Sequence, residues 1–184
     1  YRSYVICTAP RSGSTLLCSL LAATGIAGNP KSYFHDPSVE SWAAELATPP
    51  ARQGSDLDYL KAVVRAAIDE GTNGTGIFGL RLQRHSFDFC MAQLALLHPG
   101  PMSDAARLRA AFGPMRFIHL TRADKVAQAV SCVKAQQTGL WHRAPDGSEI
   151  ERLKAHQDPV YDGVALRRCH DEMVEADRQW LAWF

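Results

Sequence analysis

The chain has 184 residues, of which 46% are hydrophobic and 21% charged, and its formal net charge is +1. That length suits one domain with a sizeable core, and a near-neutral balance argues against a surface built to hold nucleic-acid backbone. No apolar run approaches the roughly 18 residues that cross a bilayer, so no transmembrane segment is expected, and the opening "YRSYVICTA" is too short for a signal peptide's apolar region.

Five cysteines, Cys7, Cys18, Cys90, Cys132 and Cys169, are widely spaced and form no C-x-x-C pair. They read as free, mostly buried thiols of a cytoplasmic protein.

"YVICTA" is rich in β-branched residues and predicts a buried strand. "SGSTLLCSLLAATG" predicts a helix, with Leu16, Leu17, Leu20 and Leu21 on one stripe and Gly25 as its C-terminal stop. "GNPKSYFHDPSVESW" reads as a loop leading to a short helix. "DLDYLKAVVRAAIDEG" predicts an amphipathic helix with Leu57, Leu60, Val64 and Ala67 or Ile68 on one face. "IFGLRL" follows as a strand, "CMAQLALL" as a helix broken at "HPGP", and "RFIHLTR" as the clearest remaining strand.

"ADKVAQAVSCVKAQQTG" predicts another helix, with Asp124 at its N-cap. At about 100° per residue, Asp124, Gln128, Ser131 and Ala135 share a polar stripe opposite Val126, Ala129, Val130 and Val133. Residues 137–162 are polar, with a turn at "RAPDGSE", and read as a lid or binding loop. "YDGVALRRCHDEMVEADRQWLAWF" predicts a closing helix with Leu166, Cys169, Met173, Trp180 and Phe184 on one face, and Arg167 and Arg168 on a solvated one. The uncapped apolar end predicts that the domain, residues 1–184, continues past Phe184.

Strand and helix alternate, so the expected fold is α/β: a P-loop-like, three-layer arrangement with a mostly parallel central sheet flanked by helices. Two anion sites fall after predicted strands. In "APRSGSTLL", a helix N-terminus offers unpaired N–H groups, Gly13 allows close approach, Ser12, Ser14 and Thr15 add hydroxyls, and Arg11 adds a permanent charge. In "LTRADKVAQAVS", Arg122 and Ser131 supply a guanidinium fork and a hydroxyl. Strand C-terminal ends line one edge of a parallel sheet, so two anion sites there suit a nucleotide phosphorylated at two places. Neither motif carries the Lys-Ser/Thr pair or strand-end acid of magnesium-dependent ATP or GTP use, so no metal is expected.

These motifs resemble the bacterial sulfotransferases that use 3′-phosphoadenosine 5′-phosphosulfate (PAPS), most closely the trehalose 2-sulfotransferase family. The resemblance runs through "RSGSTLL", "ATGIAGNP", "FGLRL", "RADKVAQAVS", "QTGLW" and "WLAWF" in unchanged order. It implies that Arg11, Ser12, Gly13, Ser14 and Thr15 hold the 5′-phosphosulfate, and that Arg122 and Ser131 hold the 3′-phosphate. It also implies a homodimer, and a carbohydrate or glycolipid hydroxyl as acceptor.

The trehalose-sulfating relatives have a glutamate, proposed as general base, where this chain has Ser32. His35 has a suitable intrinsic pKa to replace it, and Asp36 is the alternative. Arg81 reads either as a contact to acceptor or sulfonate or as an ordinary strand-end charge. Trp141 reads either as a sugar-stacking platform or as a core anchor. His85, His98, His119, His142, His156 and His170 lack metal-ligand spacing. A P-loop small-molecule kinase and a non-catalytic nucleotide-binding module are the competing readings.

Overall fold

Three parallel strands form the centre of the first of two compact units. β1 (Arg2–Thr8) lies between β2 (Ile77–Gln83) and β3 (Met115–Leu120), giving the order β2-β1-β3. Thr8 pairs with Gln83 on one side and with Leu120 on the other, so all three strands end on one sheet edge. The computed structural model describes residues 2–143 and 146–184, with Arg143 described by its backbone alone. The first unit comprises Tyr1–Thr8 and Gly13–Leu120, and the second Ala9–Ser12 and Thr121–Phe184.

In the first unit, helices α1 (Ser14–Ala23), α2 (Val39–Ala44), α3 (Asp56–Thr72), α4 (Arg84–Leu97) and α5 (Asp104–Phe112) flank the sheet. This is the expected α/β architecture with a parallel central sheet. Val5, Ile6, Phe78, Leu80 and Leu82 of the strands are buried with Val63, Ala67, Leu94 and Phe112 of the helices. Phe112 stacks on Phe34 and packs against Phe78, with ring centres 5.7 and 5.1 Å apart. Each such side chain contributes about 1.5–3 kcal/mol on burial.

The segment after α1 runs beside β2. Gly28 adopts φ 72°, and a Cβ there would lie 2.3 Å from the Ile77 carbonyl oxygen, so only glycine fits. Asn29 N–H then donates to the Gly71 carbonyl, Lys31 bridges to Leu80, and Arg81 N–H donates to the Lys31 carbonyl. This short fourth pairing delivers Ser32 to the side of Arg81.

Several faces differ from the helical-wheel expectation. On α1 the leucines face outward, Leu16 being 64% and Leu20 58% exposed, while Ser14 and Cys18 are buried. Small residues on the inner face let a helix approach its neighbours closely, and Cys18 comes near Tyr4, Tyr33 and Arg81. Gly25 follows the last turn in the left-handed region, as expected of a helix stop. On α3, Leu57 faces solvent and Tyr59, Leu60, Val63, Val64 and Ala67 face inward. α4 starts at Arg84, earlier than "CMAQLALL" implies, because its first turn buries Ser86 and Phe87 and pairs Arg84 with Asp88. α5 has no counterpart in the sequence reading. Only Leu108 and Phe112 anchor it, and a Ser103 side-chain cap starts it.

The second unit holds α6 (Lys125–Thr138), β4 (Leu140–Arg143), β5 (Glu149–Arg152) and α7 (Gly163–Trp183). Its core is Ala9 with Ala129, Cys132 and Val133 of α6 and Cys169 and Met173 of α7. Asp124 caps α6 as expected, accepting from Ala127 N–H at 2.8 Å. The expected α6 faces are corrected: Val126 and Val130 are exposed, while Gln128 and Ala135 are buried. On α7, Asp177 is buried, and Phe184, just past the helix end, is exposed. Where 137–162 read as a lid or binding loop, β4 and β5 form an antiparallel hairpin. Its polar strands carry no apolar alternation to announce it; Ala144 and Pro145 of the "RAPDGSE" turn lie outside the described residues. All five cysteines are free and buried, and burial pushes the Cys7 and Cys90 thiols up to about 12.

Candidate active site

The chain leaves β1 at Thr8 and turns at Pro10 and Arg11. In the second unit, Arg11 has φ 60°, a left-handed conformation that costs a non-glycine residue about 1–3 kcal/mol. Its side chain is held at two points. Nε donates to Ser131 Oγ at 2.9 Å, and Nη1 donates to the Trp141 carbonyl at 2.5 Å. Burial lowers the Arg11 pKa, and the neighbouring Arg122 lowers it further, while Cys132 and Glu151 oppose the shift. Arg11 and Arg122 form no ion pair with a described carboxylate. Two neighbouring guanidinium groups and a hydroxyl make a cluster that a multiply charged anion would relieve. Within this unit, Arg11, assigned to one phosphate by the sequence resemblance, touches Ser131, assigned to the other.

Trp141 contributes its backbone carbonyl to that cluster, and its ring is half-buried. Gln128 is a residue the sequence reading placed on the polar stripe but gave no role. It is fully buried, and its Nε2 donates to the Pro10 carbonyl at 2.6 Å.

In the first unit, Gly13 caps α1 in the left-handed region at φ 90°, with no side-chain cap and no acidic residue in the first turn. A Cβ on Gly13 would meet nothing within 4 Å. The helix end thus keeps its positive potential and open space, which fits a phosphate or sulfonate. Ser14 is buried and Thr15 half-buried. Arg81 links the helix end to the strand edge. Its Nη1 donates to Thr15 Oγ1 and its Nε to Ser32 Oγ, both at 2.7 Å. Its partners are neutral hydroxyls, so its charge is uncompensated by any described carboxylate. Ser32, where the resemblance leads one to expect a glutamate, is thereby a hydrogen-bond partner of Arg81.

His35 lies against the start of α4. Its Nδ1 is 3.4 Å from Ser86 Oγ, and its ring meets His85 edge-on at 4.9 Å. Burial lowers the His85 pKa, His35 adds to the drop, and Asp36 opposes it. Nearby, Gln83 Oε1 is buried at the end of β2 with no hydrogen-bond partner among the described residues. Sequence pattern alone offers no signal for either His85 or Gln83 here. Among the described residues no cluster of three or more His, Cys, Asp or Glu is arranged to hold a metal, and no helix is long and apolar enough to cross a membrane.

Residues 3–184 match the Stf0 sulphotransferase family. The chain belongs to that family. It is therefore a sulfotransferase, which sets aside both the kinase and the non-catalytic readings. Among curated Stf0 relatives, the trehalose 2-sulfotransferase of Mycolicibacterium smegmatis is 28% identical over 207 aligned positions, covering 99% of this chain and 72% of that protein. The trehalose 2-sulfotransferase of Mycobacterium tuberculosis is 29% identical over 202 positions, covering 100% of this chain and 73% of that protein.

Proposed function

We propose that this Stf0 sulphotransferase moves a sulfuryl group from PAPS to a hydroxyl of a carbohydrate or glycolipid. The observation that carries the reading is the Arg11 guanidinium held on Ser131 Oγ with Arg122 near enough to disfavour its charge, neither arginine being ion-paired to a described carboxylate. A donor with phosphates at both 3′ and 5′ positions supplies the charge such a cluster lacks. The relatives named trehalose 2-sulfotransferase support a sugar hydroxyl as acceptor.

In the transfer, the acceptor oxygen bonds to sulfur as the bridging S–O bond to the 5′-phosphate breaks. The electron pair of that bond leaves with the phosphate, and the hydroxyl proton passes to a base. Negative charge grows on the departing phosphate, where Arg11 and the backbone amides at the start of α1 stabilise it without a metal. Arg122 and Ser131 hold the 3′-phosphate, whose charge is constant through the reaction. Ser12, Gly13, Ser14 and Thr15 complete the 5′ site. Arg81, bound to Ser32 and Thr15, faces the sulfonate or the acceptor, and Trp141 offers a ring for a sugar.

His35 takes the proton. With Nδ1–H donating to Ser86 Oγ, the lone pair on Nε2 is the accepting site. The cytoplasm is the compartment we assign, on the five free cysteines, and a homodimer is the assembly we expect. We further propose that residues 1–184 belong to a single sulfotransferase domain.

Purified protein with labelled PAPS and a panel of sugars, glycolipids and phenols tests this reading. Sulfate should reach a sugar hydroxyl, EDTA should leave the rate intact, and adenosine 3′,5′-bisphosphate should bind far more tightly than AMP. Equal affinity for the two nucleotides, or transfer only to phenols, would overturn it.

A further inference from the structure

Arg11 keeps a strained left-handed backbone, and such conformations persist only where the surroundings over-determine them. Two contacts to its side chain are described above. A third acts on its backbone. The Pro10 carbonyl belongs to the peptide plane that leads into Arg11, so its direction sets the frame from which the Arg11 φ is turned. Gln128 Nε2 donates to that carbonyl from within α6, where the side chain is fully buried.

The orientation of the Gln128 amide is determined by its neighbours. Lys125 Nζ, which can only donate, lies 3.2 Å from Oε1, and the Pro10 carbonyl, which can only accept, faces Nε2. Lys125 is itself fixed by Asp177 of α7, whose Oδ2 accepts from Lys125 Nζ and from Thr121 Oγ1. Lys125 also donates to Thr121 Oγ1 at 2.9 Å. An unbroken polar relay thus runs from the buried Asp177 through Lys125 and Gln128 to the peptide preceding Arg11. Three residues beyond Gln128 on the same helix, Ser131 holds the Arg11 guanidinium. One helix therefore grips both the backbone and the side chain of the turn.

We infer that Gln128 is a positioning residue for Arg11, kept in its donating orientation by the Lys125–Asp177 pair. This rests on the role of Arg11 at the donor phosphate given above. Gln128 touches no reacting atom in this scheme; it acts through the geometry of the turn.

The experiment uses Gln128→Met, which keeps length and removes both hydrogen bonds, and Gln128→Glu, which still accepts from Lys125 but cannot donate to Pro10. Each is made in the wild-type chain and in Arg11→Ala. In the wild-type background, transfer from PAPS should slow by about tenfold or more in kcat, whereas in Arg11→Ala the same change should have little further effect. Backbone hydrogen exchange at residues 11–14 should quicken in both Gln128 variants. An equal loss in the two backgrounds marks a general packing role and overturns the inference, as does unchanged exchange in the turn. If a Gln128 variant does not fold, Lys125→Met replaces it, with the same non-additivity expected and the same outcomes against it. Wild-type protein that transfers nothing from PAPS defeats the donor reading; the exchange measurement, which needs no donor, still decides whether Gln128 holds the turn.

Discussion

The two units place their candidate-site arginines by different means. Arg81 sits within a strand whose register with β1 is set by seven paired positions, from Arg2 opposite Ile77 to Thr8 opposite Gln83. Its backbone cannot move without shifting a buried sheet, and its side chain then finds Ser32 and Thr15. Arg11 sits in a turn outside any helix or strand, in a conformation that its own sterics disfavour. It is placed by side-chain hydrogen bonds drawn from Gln128, Ser131 and the Trp141 carbonyl. A sheet-borne group is tolerant of polar changes around it and sensitive to packing. A turn-borne group is sensitive to single polar changes.

The largest effect that would sharpen this contrast is expected from Arg11→Ala. Loss of a donor aimed at developing charge should lower kcat by about 10²–10³-fold with a smaller change in KM. Steady-state kinetics showing a change in KM alone would deny Arg11 its transition-state role. His35→Ala should slow turnover by about 10²-fold and remove the acid limb of the pH–rate profile. Wild-type rates in that variant, with losses in Asp36→Ala, would transfer the base to Asp36.

Arg122→Ala should instead weaken nucleotide binding, by about 1.5–3 kcal/mol, with kcat at saturating donor less affected. Calorimetry with adenosine 3′,5′-bisphosphate reads this directly. The packing-sensitive side of the contrast is probed at Gly28. Gly28→Ala adds a Cβ against the Ile77 carbonyl at a positive φ, and should cost about 1–3 kcal/mol in chemical denaturation. It should also displace Ser32 from Arg81, since both belong to the same short pairing. Unchanged stability would mean that the edge pairing is not under steric control.

The smallest effect concerns His85. Its folded pKa lies below its unfolded value, because burial and the adjacent His35 disfavour the cation. The unfolded chain therefore binds more protons, and the stabilising contribution is complete above about pH 6.5 and is lost as pH falls towards the folded value. Denaturation curves between pH 7.5 and 5 should show this slope, and His85→Gln should flatten it. An identical slope in the variant would assign the acid sensitivity to other groups.

By itself the sequence determined the strands "YVICTA", "IFGLRL" and "RFIHLTR" and the capped helix that begins after Asp124, and it set out the polar residues around Arg11 and Arg122. These signals are local. β-branched runs, a glycine before a helix and an aspartate at an N-cap act through the nearest few residues, so they are legible without the rest of the chain. Membership of the sulfotransferase family was legible for the same reason, since its motifs are short and occur in fixed order.

Tertiary structure alone decided which face of α1 and α6 turns inward, that residues 140–152 contain a hairpin, and that Arg11 rests on Ser131. A helical wheel gives the spacing of side chains but not the direction of the core. It therefore directed Leu16 and Val126 inward, where partners reached from other elements bury Cys18 and Gln128 instead. The meeting of Ser32 with Arg81 joins residues 49 apart in sequence, and that of Arg11 with Ser131 residues 120 apart. Such contacts depend on strand register and on the closure of long loops, and their energies exist only once the chain has folded.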